Sequence, residues 1–134
     1  MAKTIVQSAK FRASPAALFE LYIDSKKHSA GIGSKATVSR RPGGRFSAFG
    51  GGLTGRNLVV SPGRMIVQTW RSRGWKKADP DSILILAFGN APGGGRVDLV
   101  HANVPDHDYA GIKSGWVKYY WKPWKAYLAR KGRA

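Results

Sequence analysis

The last third of the chain carries Tyr109, Ile112, Trp116, Tyr120, Trp124 and Tyr127 at steps of three or four residues, a helical stripe about five turns long. A helix with so bulky a stripe must bury it against a surface of matching size. No other feature restricts the fold as strongly. Pro123 lies inside the pattern, where it cannot bond the Tyr119 carbonyl, so a kink is expected there. Asp106 or Asp108 is the expected N-cap.

The middle of the chain supplies the cover. Short β-like runs follow one another at Ala36–Ser39, Arg45–Phe49, Leu53–Val60, Met65–Ser72, Ser82–Phe88 and Arg96–Asn103. Three of the turns between them share one chemistry, starting at Pro42-Gly43, Pro62-Gly63 and Pro92-Gly93 and each reaching an arginine. Proline presets φ at the turn entry and glycine supplies positive φ, so these are hairpins. Their unequal spacing makes a meander and not a repeat array. Ahead of the meander, Thr4 to Arg12 alternates as an edge strand, and Ser14-Pro15 reads as an N-cap and first-turn proline opening a helix to Asp24. A second short helix, Ser25 to Ile32, stops at Gly31 and Gly33. The economical arrangement is an α+β helix-grip: a curved antiparallel sheet of about seven strands wrapped round the long C-terminal helix, in one domain spanning residues 1–134.

Charge and composition narrow the chemistry. There are 23 Lys and Arg against 7 Asp and Glu, a net charge of +16, which attracts nucleic acid, acidic lipid or an acidic protein face. The absence of cysteine excludes disulfides, thiol nucleophiles and cysteine-based zinc sites. The N-terminus lacks the apolar run of a secretory signal and no segment is long enough to span a bilayer, so a cytoplasmic location without membrane or cofactor is expected.

Motif matches are few. Gly31-Ile-Gly33-Ser-Lys-Ala36 has the letters of a dinucleotide fingerprint, but it follows a helix and precedes a strand, and no acid occurs between residues 25 and 78. It reads as helix termination. The carboxylates read as caps and turns and form no catalytic constellation. His28 and His107 read as surface or cap positions, whereas His101 shares a strand face with Val97 and Leu99 and is either a core imidazole or a ligand-facing donor. Two basic stretches are laced with tryptophan, Arg71–Lys77 and Lys118–Lys125. Helical spacing sends Trp116, Tyr120 and Trp124 inward, leaving Trp75 and Trp121 as the tryptophans expected at the surface.

The run Gly55-Arg-Asn-Leu-Val-Val-Ser-Pro-Gly-Arg-Met-Ile-Val-Gln-Thr-Trp-Arg71, then Trp75, Asp81-Ser-Ile-Leu-Ile-Leu, Val104-Pro105, Gly115-Trp116 and Tyr120-Trp121, resembles the C-terminal-type domain of activators of the ninety-kilodalton heat-shock protein ATPase. That family lies within the START-like SRPBCC superfamily, whose opening strand and helix are resembled by Phe11 to Asp24. The resemblance covers essentially the whole chain. It implies a cavity between sheet and C-terminal helix of the kind that takes hydrophobic small molecules in relatives, and a stand-alone bacterial-type homologue.

The leading functional expectation is therefore non-catalytic binding of an apolar or aromatic ligand by Phe49, Trp70, His101, Trp116 and Tyr120, with His101 and Tyr120 orienting it. Trp70 shares its strand face with Gln68, which leaves open which face of that strand lines the cavity. A chaperone partner docking on the basic surface is the second reading. A cyclase- or hydrolase-like enzyme acting through His101 is a third. Weak, salt-sensitive polyanion binding is the fourth.

Overall fold

The computed structural model describes residues 2–131. Strand β1 (Ala2–Phe11) leads to helices α1 (Pro15–Ile23) and α2 (Ser25–Ile32), then to six strands: β2 (Ala36–Val38), β3 (Arg45–Ala48), β4 (Leu53–Ser61), β5 (Met65–Ser72), β6 (Ser82–Ala91) and β7 (Gly94–Pro105). A 3-10 turn at Asp106–Asp108 opens the C-terminal helix, made of α3 (Tyr109–Trp116), a π-helical turn (Val117–Trp121) and α4 (Lys122–Lys131). The sheet is antiparallel in the order β1-β7-β6-β5-β4-β3-β2, so β1 is the edge strand its alternation predicts. Gly63 and Gly93 sit at φ of 73° and 78°, the left-handed step that the proline-glycine hairpins require.

Alternation sorts the two faces. Ile66, Gln68 and Trp70 on β5, Leu84 and Leu86 on β6, and Val97, Leu99 and His101 on β7 are buried against the helices. Register lines up Asn57, Gln68, Leu84, His101 and Ile5 as one row across five strands of this inner face. The C-terminal helix presses Trp116, Tyr120, Trp121 and Trp124 into the hollow, with Trp124 fully buried and packed against Phe11 and Tyr22.

Local chemistry explains the N-terminal helices. The Ser14 side chain accepts from the Ala17 N–H at 3.1 Å and Pro15 occupies the first turn, as expected. Asp24 ends α1 and caps α2 as well, accepting from the Lys27 N–H at 3.0 Å. Gly31 is needed for close packing: a Cβ there would lie 3.0 Å from Leu21 and 3.2 Å from the Trp124 ring. Gly33 closes α2 in the left-handed conformation. The outer edge of β2 is sealed from within the chain. Ser25 and Ser29, one turn apart on α2, accept from the Val38 and Ala36 N–H groups, and Ser25 donates to the Val38 carbonyl while Ser29 donates to the Ser25 carbonyl at 2.7 Å.

The kink expected at Pro123 takes another form. The helix widens by one residue, with the Lys122 N–H bonded to the Val117 carbonyl, and so accommodates the prolyl ring without breaking the helix.

The histidine and tryptophan expectations need correction too. His28 is fully buried, because α2 turns it toward Tyr22 and Tyr120. Trp75 and Trp121 are only 7% and 5% exposed. Each buries its ring by giving its indole N–H a partner, Asp108 Oδ2 at 2.7 Å for Trp75 and Gln7 Oε1 at 2.9 Å for Trp121. Asp108 is thus spent on Trp75, and its side chain does not cap α3.

Candidate functional site: a cleft between sheet and C-terminal helix

An open cleft of about 490 Å³ lies between the β3–β4 turn, the end of β5 and the C-terminal helix. Four of the five expected residues border it: Phe49, Trp70, Trp116 and Tyr120. Gln68 shares the Trp70 face, and that face is the inner one. His101 lies behind the wall, with its ring 4.6 Å from Trp70 and 5.8 Å from Trp116.

Each wall has a local cause. Phe49 stands in a left-handed turn at φ 52°, rare for a non-glycine residue, and the turn is held by the Gly52 N–H to Phe49 carbonyl bond at 3.1 Å. Its ring meets Tyr119 and Tyr120 edge-on at 5.8 and 6.1 Å. On the opposite wall, Gly111 and Gly115 are one helical turn apart and both border the cleft, so the helix leaves space where side chains would stand. The π-helical turn lets the successive residues Tyr119 and Tyr120 both reach the cleft. Leu53 and Ile112 complete the apolar lining, and Asp108 lies at the rim. The sequence reading missed Gly111, Gly115 and Tyr119. Paired helix glycines at i, i+4 are the signal that could have found the first two.

Polar groups beneath the cleft are fixed by hydrogen bonds. Tyr120 donates to His28 Nε2 at 2.9 Å, and His28 Nδ1 donates to the Tyr22 carbonyl at 2.7 Å. Tyr22 donates to Gln68 Oε1, and Gln68 donates to Asn57 Oδ1, both at 2.8 Å. Burial raises the Tyr120 phenol well above its ordinary value and pushes the His28 imidazole down to about 4. The Ser82 hydroxyl donates to the Trp70 carbonyl at 2.6 Å, so His101 must donate from Nε2 to Ser82 Oγ at 2.8 Å. His101 Nδ1 then accepts the Trp116 indole N–H at 3.1 Å, and burial lowers its pKa to about 3. Both nitrogens of His101 are occupied, and a neutral imidazole so held positions Trp116. The cleft offers shape, aromatic faces and one rim carboxylate. Among the described residues no group of three metal-ligating side chains occurs, and no helix is long and apolar enough to cross a membrane.

The family model described as "Activator of Hsp90 ATPase homolog 1-like protein" matches residues 12–129. The chain belongs to this family. An activator of 90 kDa heat shock protein ATPase homolog from Dictyostelium discoideum is 30% identical over 114 residues, covering 85% of this chain and 30% of the relative. The chain therefore spans about a third of the length of the curated relatives it matches. Among solved structures, an HSP90 activator from Plasmodium falciparum superposes with a TM-score of 0.80 at 24% identity, with 96% of both chains covered. A Mesorhizobium loti protein gives 0.81 at 22%, covering 96% of this chain and 98% of its own. These likenesses establish the helix-grip fold. The Dictyostelium discoideum relative, and a Homo sapiens one 24% identical over 112 residues, carry the names of activators and not of catalysts.

Proposed function

We propose that this activator-family domain is a non-catalytic binding module that takes an apolar or aromatic small molecule in the cleft between β5 and the C-terminal helix. The observation that carries the reading is the pairing of aromatic walls, Phe49, Trp70, Trp116 and Tyr119, with the space left by Gly111 and Gly115. Flat aromatic faces with few polar groups suit a planar hydrophobic ligand. An anionic ligand is disfavoured at the rim by Asp108, despite the positive charge of the chain. Thermal denaturation against a library of hydrophobic compounds tests the proposal. At least one compound should raise the melting temperature in proportion to its concentration, and a library without effect would sink it.

A second reading is favoured by the names of the relatives. The Dictyostelium and Plasmodium proteins are described as activators of the 90 kDa chaperone, and a charge of +16 would steer this domain toward an acidic chaperone face. Stimulation of the homologous chaperone's ATPase, measured at low salt where steering is strongest, is the expected result. No stimulation there would remove this reading and leave the cleft untouched.

A further inference from the structure

All the helices pack on the inner face of the sheet, and the outer face carries an apolar row that no element of the described chain covers. Register places Val6, Val100, Ile85, Val67 and Val59 side by side across β1, β7, β6, β5 and β4. All five are β-branched. Val6 is 72% exposed, Val59 is 45% exposed, and Leu58 stands out at the β-bulge beside Val59. Solvent-facing strand positions of a sheet with one buried face are ordinarily polar, so an aliphatic row here is a departure from that pattern.

One step along β5 from Val67, at Thr69, the row runs into a hollow of about 510 Å³ on the same face. Thr37, Ser47 and Thr54 line up across β2, β3 and β4 as its floor. Arg45 and Arg56 stand directly opposite each other across β3 and β4, both exposed. Like charges so placed repel. Among the described residues neither arginine is in an ion pair. Arg71, also at the hollow, is already committed, since it donates to the Lys76 and Asp79 carbonyls at 2.6 Å and thereby fastens the β5–β6 loop.

We propose that this outer face docks an acidic, aliphatic segment of a partner protein, its apolar side chains on the valine row and its carboxylates between Arg45 and Arg56. Charge decides among the possible occupants. A second copy would bring another +16 chain and a second opposed arginine pair onto the same face, so self-association is disfavoured. Nucleic acid would want aromatic side chains to stack on bases, yet the row is aliphatic and Trp75 and Trp121 are buried. Carboxylates offer the arginines bidentate partners, and aliphatic side chains match the row. The proposal deepens the partner-docking reading by naming a face and a chemistry.

The test is a titration of the full chain with a labelled peptide of alternating Leu and Glu, monitored by fluorescence anisotropy and by amide NMR shifts. Shifts should concentrate on the valine row across β1, β7, β6, β5 and β4 and on the Arg45–Arg56 pair of β3 and β4. Arg45→Glu with Arg56→Glu should weaken binding about tenfold or more, and so should Val6→Ser with Val59→Ser. All four positions are exposed, and an unchanged melting temperature would confirm that the variants fold. Poly-glutamate bound as tightly as the Leu/Glu peptide would overturn the proposal, because the row would then contribute nothing. So would shifts scattered over the surface, or tighter binding of oligonucleotide or anionic vesicles through the same residues. Failure of chaperone stimulation alone would remove that particular partner, whereas failure of peptide docking removes the face.

Discussion

Two buried imidazoles hold opposite tautomers, and their neighbours dictate both. His28 carries its proton on Nδ1 because that nitrogen faces a carbonyl, and His101 carries its proton on Nε2 because the Ser82 hydrogen is already given to Trp70. Protonating His28 would set a new N–H against the Tyr120 hydroxyl hydrogen, and protonating His101 would set one against the Trp116 indole N–H. Burial depresses both pKa values, to about 4 and about 3, so the unfolded chain binds more protons than the native one below the ordinary value of 6.5. Stability should therefore be complete above about pH 6.5 and fall as the pH drops toward 3, by on the order of 3 kcal/mol for each histidine at pH 4. Urea melts from pH 8 to 4 would check this, and nitrogen-15 shifts of the two rings would report the tautomers. Flat stability between pH 6.5 and 4.5 would contradict the hydrogen-bond assignment. Phe49 offers a separate handle. Glycine relieves its left-handed backbone while removing a cleft wall, so Phe49→Gly should keep the stability within about 1 kcal/mol and weaken an apolar ligand severalfold. At this scale the sequence was partly legible. Strand and helix periodicity brought Phe49, Trp70, Trp116 and Tyr120 to one cleft, but nothing in one-dimensional spacing says that Trp75 will find Asp108, 33 residues away, and bury itself.

The elements were more readable than their joints. Apolar alternation, proline-glycine turns and the Ser14 cap are local signals, and each element they mark is present within a few residues. The π-helical turn was not readable, because Pro123 announces only that a regular helix must give way, and packing decides whether it bends or widens. The glycines of α3 belong to the same joint. Gly115 has helical backbone, and a Cβ there would meet Tyr119 at an ordinary 3.6 Å. Gly115→Ala should thus stabilise the chain by up to about 1 kcal/mol, read from denaturant midpoints. Destabilisation of that size would mean that the helix needs flexibility there.

At the scale of the whole molecule, the charge of +16 and the helix-grip hollow are independent properties with independent readouts. The charge alone should give weak binding to oligonucleotides, with a log–log salt slope of about −0.7 to −0.9 per phosphate contacted. Filter binding should lose it by moderate salt, and sub-micromolar sequence-dependent binding at physiological salt would place nucleic acid above the cleft. The cleft between β5 and the C-terminal helix carries the central claim. Its most direct test is a titration with N-phenylnaphthylamine, an uncharged aromatic fluorophore, excited through the cleft tryptophans in the unsubstituted chain and in Gly115→Leu. Saturable one-to-one energy transfer in the former, weakened about tenfold or more by a leucine filling the space while the melting temperature holds, is the result this account expects. No saturable binding, or equal binding by both proteins, would contradict it.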